Sequence, residues 1–193
     1  MKKVIPKFKS RCVNNIAQIV WITGMSGSGK STLSTEIKFF LTKKQFKVHV
    51  IDGDEIRGKD AKKLGFGFDD VLKNNLRIAT LCKKLKKQFD VVVVPVISPY
   101  DVVRRKVRKI LEPNFHLIYL KSDIDSLRIR DPKGLYASAD KGLIDDMIGY
   151  SDHNPYEEPC NAEIVIETGN STNIDQSRAE LFDYINKNLF LKW

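Results

Sequence analysis

Residues Gly24-Met25-Ser26-Gly27-Ser28-Gly29-Lys30-Ser31 read G-x-x-x-x-G-K-S and follow directly on the apolar run Ile19-Val20-Trp21-Ile22. The run is a buried strand, and Leu33, Ile37, Phe40 and Leu41 beyond the motif have the spacing of an amphipathic helix. A glycine-rich turn between strand and helix points its backbone N–H groups inward, and the helix opening near Gly29 adds the positive end of its dipole. That is the chemistry of a polyphosphate cradle. Lys30 would reach the β- and γ-phosphates, and the Ser31 hydroxyl would ligate Mg²⁺. Gly24, Ser26, Gly27, Ser28, Gly29 and Thr32 complete the expected nucleoside-triphosphate-binding loop. A flexible Gly/Ser loop matches the same letters, but not with a strand before it and a helix after it.

A second constellation is Asp52-Gly53-Asp54 with Arg57, at the end of the next strand pattern. Two carboxylates opposite a phosphate loop suit metal and hydroxyl handling: one approaches Mg²⁺, the other accepts the proton of an attacking hydroxyl. Asp and Gly are also common turn residues, so D-G-D gains its meaning from the phosphate loop.

Strands are expected over Ile19–Thr23, Lys47–Ile51, Val91–Ile97, His116–Leu120 and Ile164–Ile166. Helical patterns cover Gly29–Lys43, Asp70–Phe89, Asp101–Leu111, Asp123–Arg130 and Asp175–Leu189. Strict alternation with continuous β-branched runs predicts a three-layer α/β domain, the P-loop nucleotide-binding fold, on a mainly parallel sheet. The whole chain, 1–193, reads as one domain. Two segments interrupt the rhythm, 53–69 and 131–159. The second carries Pro132, Gly134, Gly142, Gly149, Pro155 and Pro159 and is expected to be an irregular lid.

The bulk composition suits a cytoplasmic enzyme. The cysteines Cys12, Cys82 and Cys160 form no C-x-x-C pair, no stretch is long enough to span a membrane, and the Lys-rich start lacks a signal-peptide apolar run. The net charge of +9 implies an anionic partner. Phosphorylated small molecules satisfy it, and no recognition motif or aromatic-rich basic stripe supports nucleic acid. The run Lys83-Lys84-Leu85-Lys86-Lys87 reads as a solvated helix face.

Several further motifs resemble those of the adenylylsulfate (APS) kinases, between about Ile19 and Thr168. They are Asp52-Gly53-Asp54-Glu55-Ile56-Arg57, Leu64-Gly65-Phe66, Ile97-Ser98-Pro99-Tyr100, Asp131-Pro132-Lys133-Gly134-Leu135-Tyr136 and Asn154-Pro155-Tyr156-Glu157-Glu158-Pro159. The resemblance implies transfer of the ATP γ-phosphoryl group to the ribose 3′-hydroxyl of APS, giving PAPS, with Mg²⁺, in a homodimer. It implies Lys30, Asp54 and Ser98 at the reaction centre, Ser31 and Asp54 near the metal, and Arg130 near the ATP base beside the turn after Thr168. The acceptor nucleotide would meet Asp52, Arg57, Phe66, Asn74, Arg77, Ile97, Ser98, Pro99 and Tyr100, with Lys133, Gly134 and Leu135 from the lid. Phe66 would stack on the acceptor base. The resemblance also carries a phosphoserine at Ser98, whereas a site that holds donor and acceptor together favours direct in-line transfer.

The departures fall on the acceptor side. Where the family reads D-R-x-E-N-I-R-R, this chain has Asp70-Val71-Leu72-Lys73-Asn74-Asn75-Leu76-Arg77. The arginine after I-S-P-Y is Asp101, a lid K-x-R is Ser138-Ala139-Asp140, and a phenylalanine that clamps adenine is Met147. Several lost charge contacts, at about 1.5–3 kcal/mol each, are enough to change an acceptor. The alternative expectation is a nucleotide 3′-kinase for cytidine diphosphoramidate, where a flexible Met suits a smaller base. A guanine-reading switch is disfavoured, because the nearest match to N-K-x-D, Leu120-Lys121-Ser122-Asp123, lacks the amide.

Overall fold

Alternate residues of the valine run at 91–94 face opposite layers, and both layers are apolar. One face puts Val92 and Val94 with Ile19, Trp21 and Leu117 against Ile78, Cys82 and Val107. The other puts Val91 and Val93 with Val20, Ile22 and Ile118 against Leu33, Ile37, Leu41, Leu181 and Ile185. A sheet buried on both sides is the reason the strands are continuous apolar runs.

The structure, a computed structural model, describes residues 16–51, 53, 56 and 65–189. Its strands are β1 (Gln18–Thr23), β2 (Val48–Val50), β3 (Val91–Pro95), β4 (Phe115–Lys121) and β5 (Ile164–Glu167). Its helices are α1 (Lys30–Lys43), α2 (Phe68–Leu85), α3 (Asp101–Leu111), α4 (Ile124–Arg130), α5 (Leu135–Asp140) and α6 (Ile174–Asn188). The strand order is β2-β3-β1-β4-β5, and every pairing is parallel. The expected α/β architecture is therefore present. Since β1 lies between β3 and β4, the loops leaving their C-terminal ends meet at the edge where such sheets bind ligands.

Element ends moved for local reasons. The third strand stops at Pro95 and not Ile97, because Ser98 takes a positive φ of 44° and turns the chain. The edge strand β2 shortens to Val48–Val50. The segment 131–159 is not wholly irregular, since it holds α5, whose start is fixed by Asp131 accepting from Leu135 N (2.8 Å) and Ala137 N (3.0 Å). The basic run after Leu81 is solvated at Lys83, Lys84 and Lys87, as its pattern implies. Among the described residues no helix is long and apolar enough to cross a membrane.

Candidate active site

The loop between β1 and α1 is shaped by contact with β4. Gly24 has φ +153°, and a Cβ placed there would lie 2.7 Å from the Leu120 carbonyl oxygen and 2.6 Å from Ser28 Oγ. Gly29 reaches the helix start with φ +92° in open space, so its glycine serves backbone conformation and not packing. Lys30 folds along the loop, donating to the carbonyls of Gly24 (2.8 Å) and Met25 (2.6 Å). The helix end thus presents backbone N–H groups to a cleft of about 1030 Å³. Ser26, Gly27, Ser28 and Gly29 line this cleft, followed by Lys30, Ser31 and Thr32. Gly24 lies behind them and is buried.

The opposite wall comes from the loop after β3 and from α2. Ile97, Ser98, Pro99, Phe66 and Asn74 line it. Ser98 is 2 % exposed, and its Oγ has no hydrogen-bond partner among the described residues. Thr23, the last residue of β1, donates to the Ile97 carbonyl, so Tyr156 OH must donate to Thr23 Oγ1, 2.9 Å away. Burial holds the Tyr156 phenol well above its ordinary range and keeps that proton in place. The reach of β1 therefore fastens the phosphate loop, the 97–100 loop and the lid's far end together.

The segment 131–159, expected as a lid, rests on the phosphate loop. Tyr136, 1 % exposed, donates to the Ser26 carbonyl at 3.0 Å, and burial raises its phenol too. Lys133 faces the cleft from the lid, while Gly134 and Leu135 do not line it. Gly134 precedes α5 with φ 65°, and Leu135 packs inside the lid. On the other flank Arg130 lines the cleft and bonds to the Thr168 carbonyl. The turn it holds, Thr168 to Asn170, is pinned again by Asn170 N donating to Ser126 Oγ (2.7 Å). Asp123 accepts from Ser126 N (2.7 Å) and from its hydroxyl, and these bonds hold its carboxyl below the usual range. The aspartate of Leu120-Lys121-Ser122-Asp123 is thus a helix cap.

Three expected site residues, Asp52, Asp54 and Arg57, lie outside the described residues, as does Cys12. Two others are placed elsewhere than expected. Arg77 is exposed on α2 and does not line the cleft. Tyr100 is buried behind the wall, its ring 5.1 Å from Phe68 and its hydroxyl donating to Asn154 Oδ1 at 3.1 Å.

The family departures sort themselves by direction. Of Val71, Asp101, Asp140 and Met147, Val71 alone lines the cleft, in an apolar cluster with Tyr100, Val103 and Ile148. Asp101 pairs with Arg105; Asp140 pairs with Arg128 (2.8 Å) and Tyr150. Met147 packs with Leu127 and Tyr136 inside the lid, and its neighbour Ile148 reaches the cleft instead. Residues given no role from sequence also matter here: Asn75 and Ile148 on the wall, Arg104 behind it, and Tyr136 against the phosphate loop. Arg104 is indistinguishable by charge from Arg105 and Arg108, but its helical register with Val107 and Leu111 is a signal of burial.

No cluster of three or more His, Cys, Asp or Glu side chains able to hold a metal occurs among the described residues. A hydroxyl at the first turn of a phosphate-facing helix is instead the donor set for Mg²⁺ carried on nucleotide oxygens, which keeps water and few protein ligands. Ser31 fits that role.

Comparison with known proteins agrees with this geometry. The family model for adenylylsulphate kinase matches residues 16–167. The adenylyl-sulfate kinase of Bacillus pumilus is 39% identical over 173 residues, 89% of this chain and 86% of that protein. That of Prochlorococcus marinus is 41% identical over 164 residues, 84% and 80%. The structure of the Mycobacterium tuberculosis APS kinase in complex with AMPPNP and APS superposes with a TM-score of 0.77 at 30% identity, covering 89% and 98%. A gluconokinase from Sinorhizobium meliloti, TM-score 0.64 at 17% identity, shares the fold. A phosphate loop facing the Ile97–Pro99 wall, together with these relatives, places the chain in the adenylylsulphate kinase family.

Proposed function

We propose that this protein is an ATP-dependent phosphotransferase that phosphorylates the ribose 3′-hydroxyl of APS, giving PAPS. The observation that carries the reading is the opposition, across one cleft, of the loop after β1 and the loop after β3. The first is built to bind phosphates and the second to hold an acceptor, so both reactants are brought together without a covalent carrier. Family membership and the APS-bound relative support the identity of the acceptor.

In this reading the loop N–H groups and Lys30 hold the β- and γ-phosphates, and Arg130 with the Thr168–Asn170 turn holds the ATP base. Phe66 stacks on the acceptor base, Asn74 and the Ile97–Pro99 backbone orient its ribose, and Lys133 comes down with the lid. Ser31 and Asp54 would hold Mg²⁺, which neutralises charge on the phosphate oxygens when bound. Asp54 would take the proton of the attacking hydroxyl, and the γ-phosphoryl group would pass in line from the β-phosphate oxygen to that oxygen. Ser98 lines the acceptor side without a covalent step. A single domain over 1–193, a cytoplasmic setting and a homodimer belong to the same proposal, the last on family resemblance alone.

One observation favours a second acceptor. Val71 gives the cleft an apolar wall where the family pattern has an arginine. A coupled ATP-consumption assay offering APS and cytidine diphosphoramidate side by side separates the two. Efficient turnover of APS is expected; consumption of ATP with the cytidine compound alone would replace it. Lys30→Ala should abolish either activity with the fold intact, because no other side chain of the loop carries positive charge to the migrating group.

A further inference from the structure

Arg104 of α3 is 1 % exposed and among the largest wholly interior side chains. Interior cations are costly unless well paired, and the partners of this one all belong to two segments. Its Nη1 donates to the carbonyls of Ser98 and Pro99, both at 2.8 Å. Its Nη2 donates to the Glu157 carbonyl at 2.7 Å and lies 3.5 Å from Asp101 Oδ1. The same two segments are tied again beside it. Glu157 N donates to the Pro99 carbonyl at 2.9 Å, and Asp101 N donates to Glu157 Oε2 at 2.6 Å.

The segment so held is conformationally unusual. Ser98 sits at φ 44°, a region that side-chain-bearing residues avoid and that persists only where the surroundings impose it. Two successive carbonyls converging on one guanidinium nitrogen impose it here. Arg104 itself does not line the cleft.

We propose that Arg104 is a positioning residue for phosphoryl transfer. Its planar fork holds the 97–99 loop in its cleft-facing shape and fastens to it the 154–158 end of the lid, touching neither substrate. This rests on the reading of that loop as the acceptor side. A lysine supplies the charge but not the fork, so it can restore only part of the effect.

The test uses the full chain with Arg104→Met and Arg104→Lys. ATP affinity is measured by calorimetry, acceptor kinetics with APS, and amide exchange at 97–100 and 154–158 by mass spectrometry. ATP affinity should stay within about twofold, while acceptor kcat/KM falls about a hundredfold in the Met variant and less in the Lys variant. Exchange should quicken in both segments and stay unchanged along β1. A folded variant with unaltered acceptor kcat/KM and exchange would overturn the proposal. So would equal loss of ATP affinity and acceptor use, the mark of an arginine that only holds the domain together. Should Arg104→Met not fold, Arg104→Lys and Tyr100→Phe, which cuts the neighbouring tie to Asn154, carry the same readouts. If the unmodified protein leaves APS untouched, the acceptor reading fails by itself, and the exchange measurement still decides the role of Arg104.

Discussion

Replacing Gly24 with alanine tests whether the phosphate loop takes its shape from the strand beneath it. The new Cβ would sit 2.7 Å from the Leu120 carbonyl oxygen and 3.3 Å from Leu120 Cβ, where ordinary contact begins at 3.4 Å. Ser28 Oγ, 2.6 Å away, can rotate aside, but Leu120 is held in the sheet opposite Ile166 and cannot. The loop must therefore move by roughly 0.7 Å toward the cleft, as the shortfall against that contact limit requires. At φ +153° the alanine also carries backbone strain of about 1–3 kcal/mol. For a domain of this size that lowers the melting temperature by about 2–12 °C. Because the Gly24 carbonyl accepts from Lys30 at 2.8 Å, the lysine moves with it, and a misplacement approaching 1 Å costs up to about a hundredfold in rate. Thermal unfolding with and without a non-hydrolysable ATP analogue, and steady-state kinetics, read both effects. Gly67→Ala is the control: at φ −66° with nothing near its Cβ it meets no clash, so it should cost no more than the roughly 1 kcal/mol of a poorer helix N-cap and leave ATP kinetics unchanged. Wild-type melting and ATP kinetics in Gly24→Ala would refute the reasoning.

Tyr136→Phe should loosen the lid by removing its bond to the Ser26 carbonyl, a loss of about 1 kcal/mol that quickens amide exchange over 135–150 about fivefold. Exchange rates equal to wild type there would show that the lid is held by packing alone. His116, bonded to Tyr184 (2.7 Å) and Gln18 (3.0 Å), has its pKa lowered by burial and by Arg108, against an opposing pull from Glu163. A lowered histidine favours the folded state when neutral, so its contribution is present above 6.5 and is lost as pH falls below it. Urea unfolding at about pH 7.5 and 5.5 should therefore show a steeper loss in wild type than in His116→Gln. Burial pushes the Cys82 thiol up to about 12, whereas Cys160 is exposed. A thiol reagent at about pH 8 should mark Cys160 in the folded protein and Cys82 only in denaturant, read by peptide mapping.

The sequence was most legible where one local rule decides the outcome. The apolar runs around Trp21, Val92 and Ile118 became parallel strands because both sheet faces are covered, and G-x-x-x-x-G-K-S could form only between such a strand and a helix. Side-chain direction was less legible. Val71, Asp101, Asp140 and Met147 stand at four departures from one pattern, yet only Val71 turns to the cleft. The others are claimed by Arg105 one helical turn away, by Arg128 of the preceding helix and by the lid's apolar cluster, and a family pattern does not show which of these contacts a side chain takes. Arg77, expected at the acceptor, stands on the exposed face of α2. The short α5 escaped notice because its glycine-rich flanks read as loop, and Asp131 starts it through backbone bonds that composition does not reveal.

The pairing of β1 with β3 has a consequence for how such a cleft can diversify. Ile22 lies opposite Pro95, so the two loops that face each other leave the sheet side by side, and Thr23 bonds across the gap to Ile97. Neighbouring strands stand about 4.8 Å apart by the geometry of backbone hydrogen bonding. The distance between the phosphate loop and the 97–99 wall is thus inherited from the sheet and is indifferent to which side chains line the cavity. The wall of α2 and the lid hang outside that frame. Exchanges there, such as Val71, can retune what enters while leaving untouched the separation across which a group must travel.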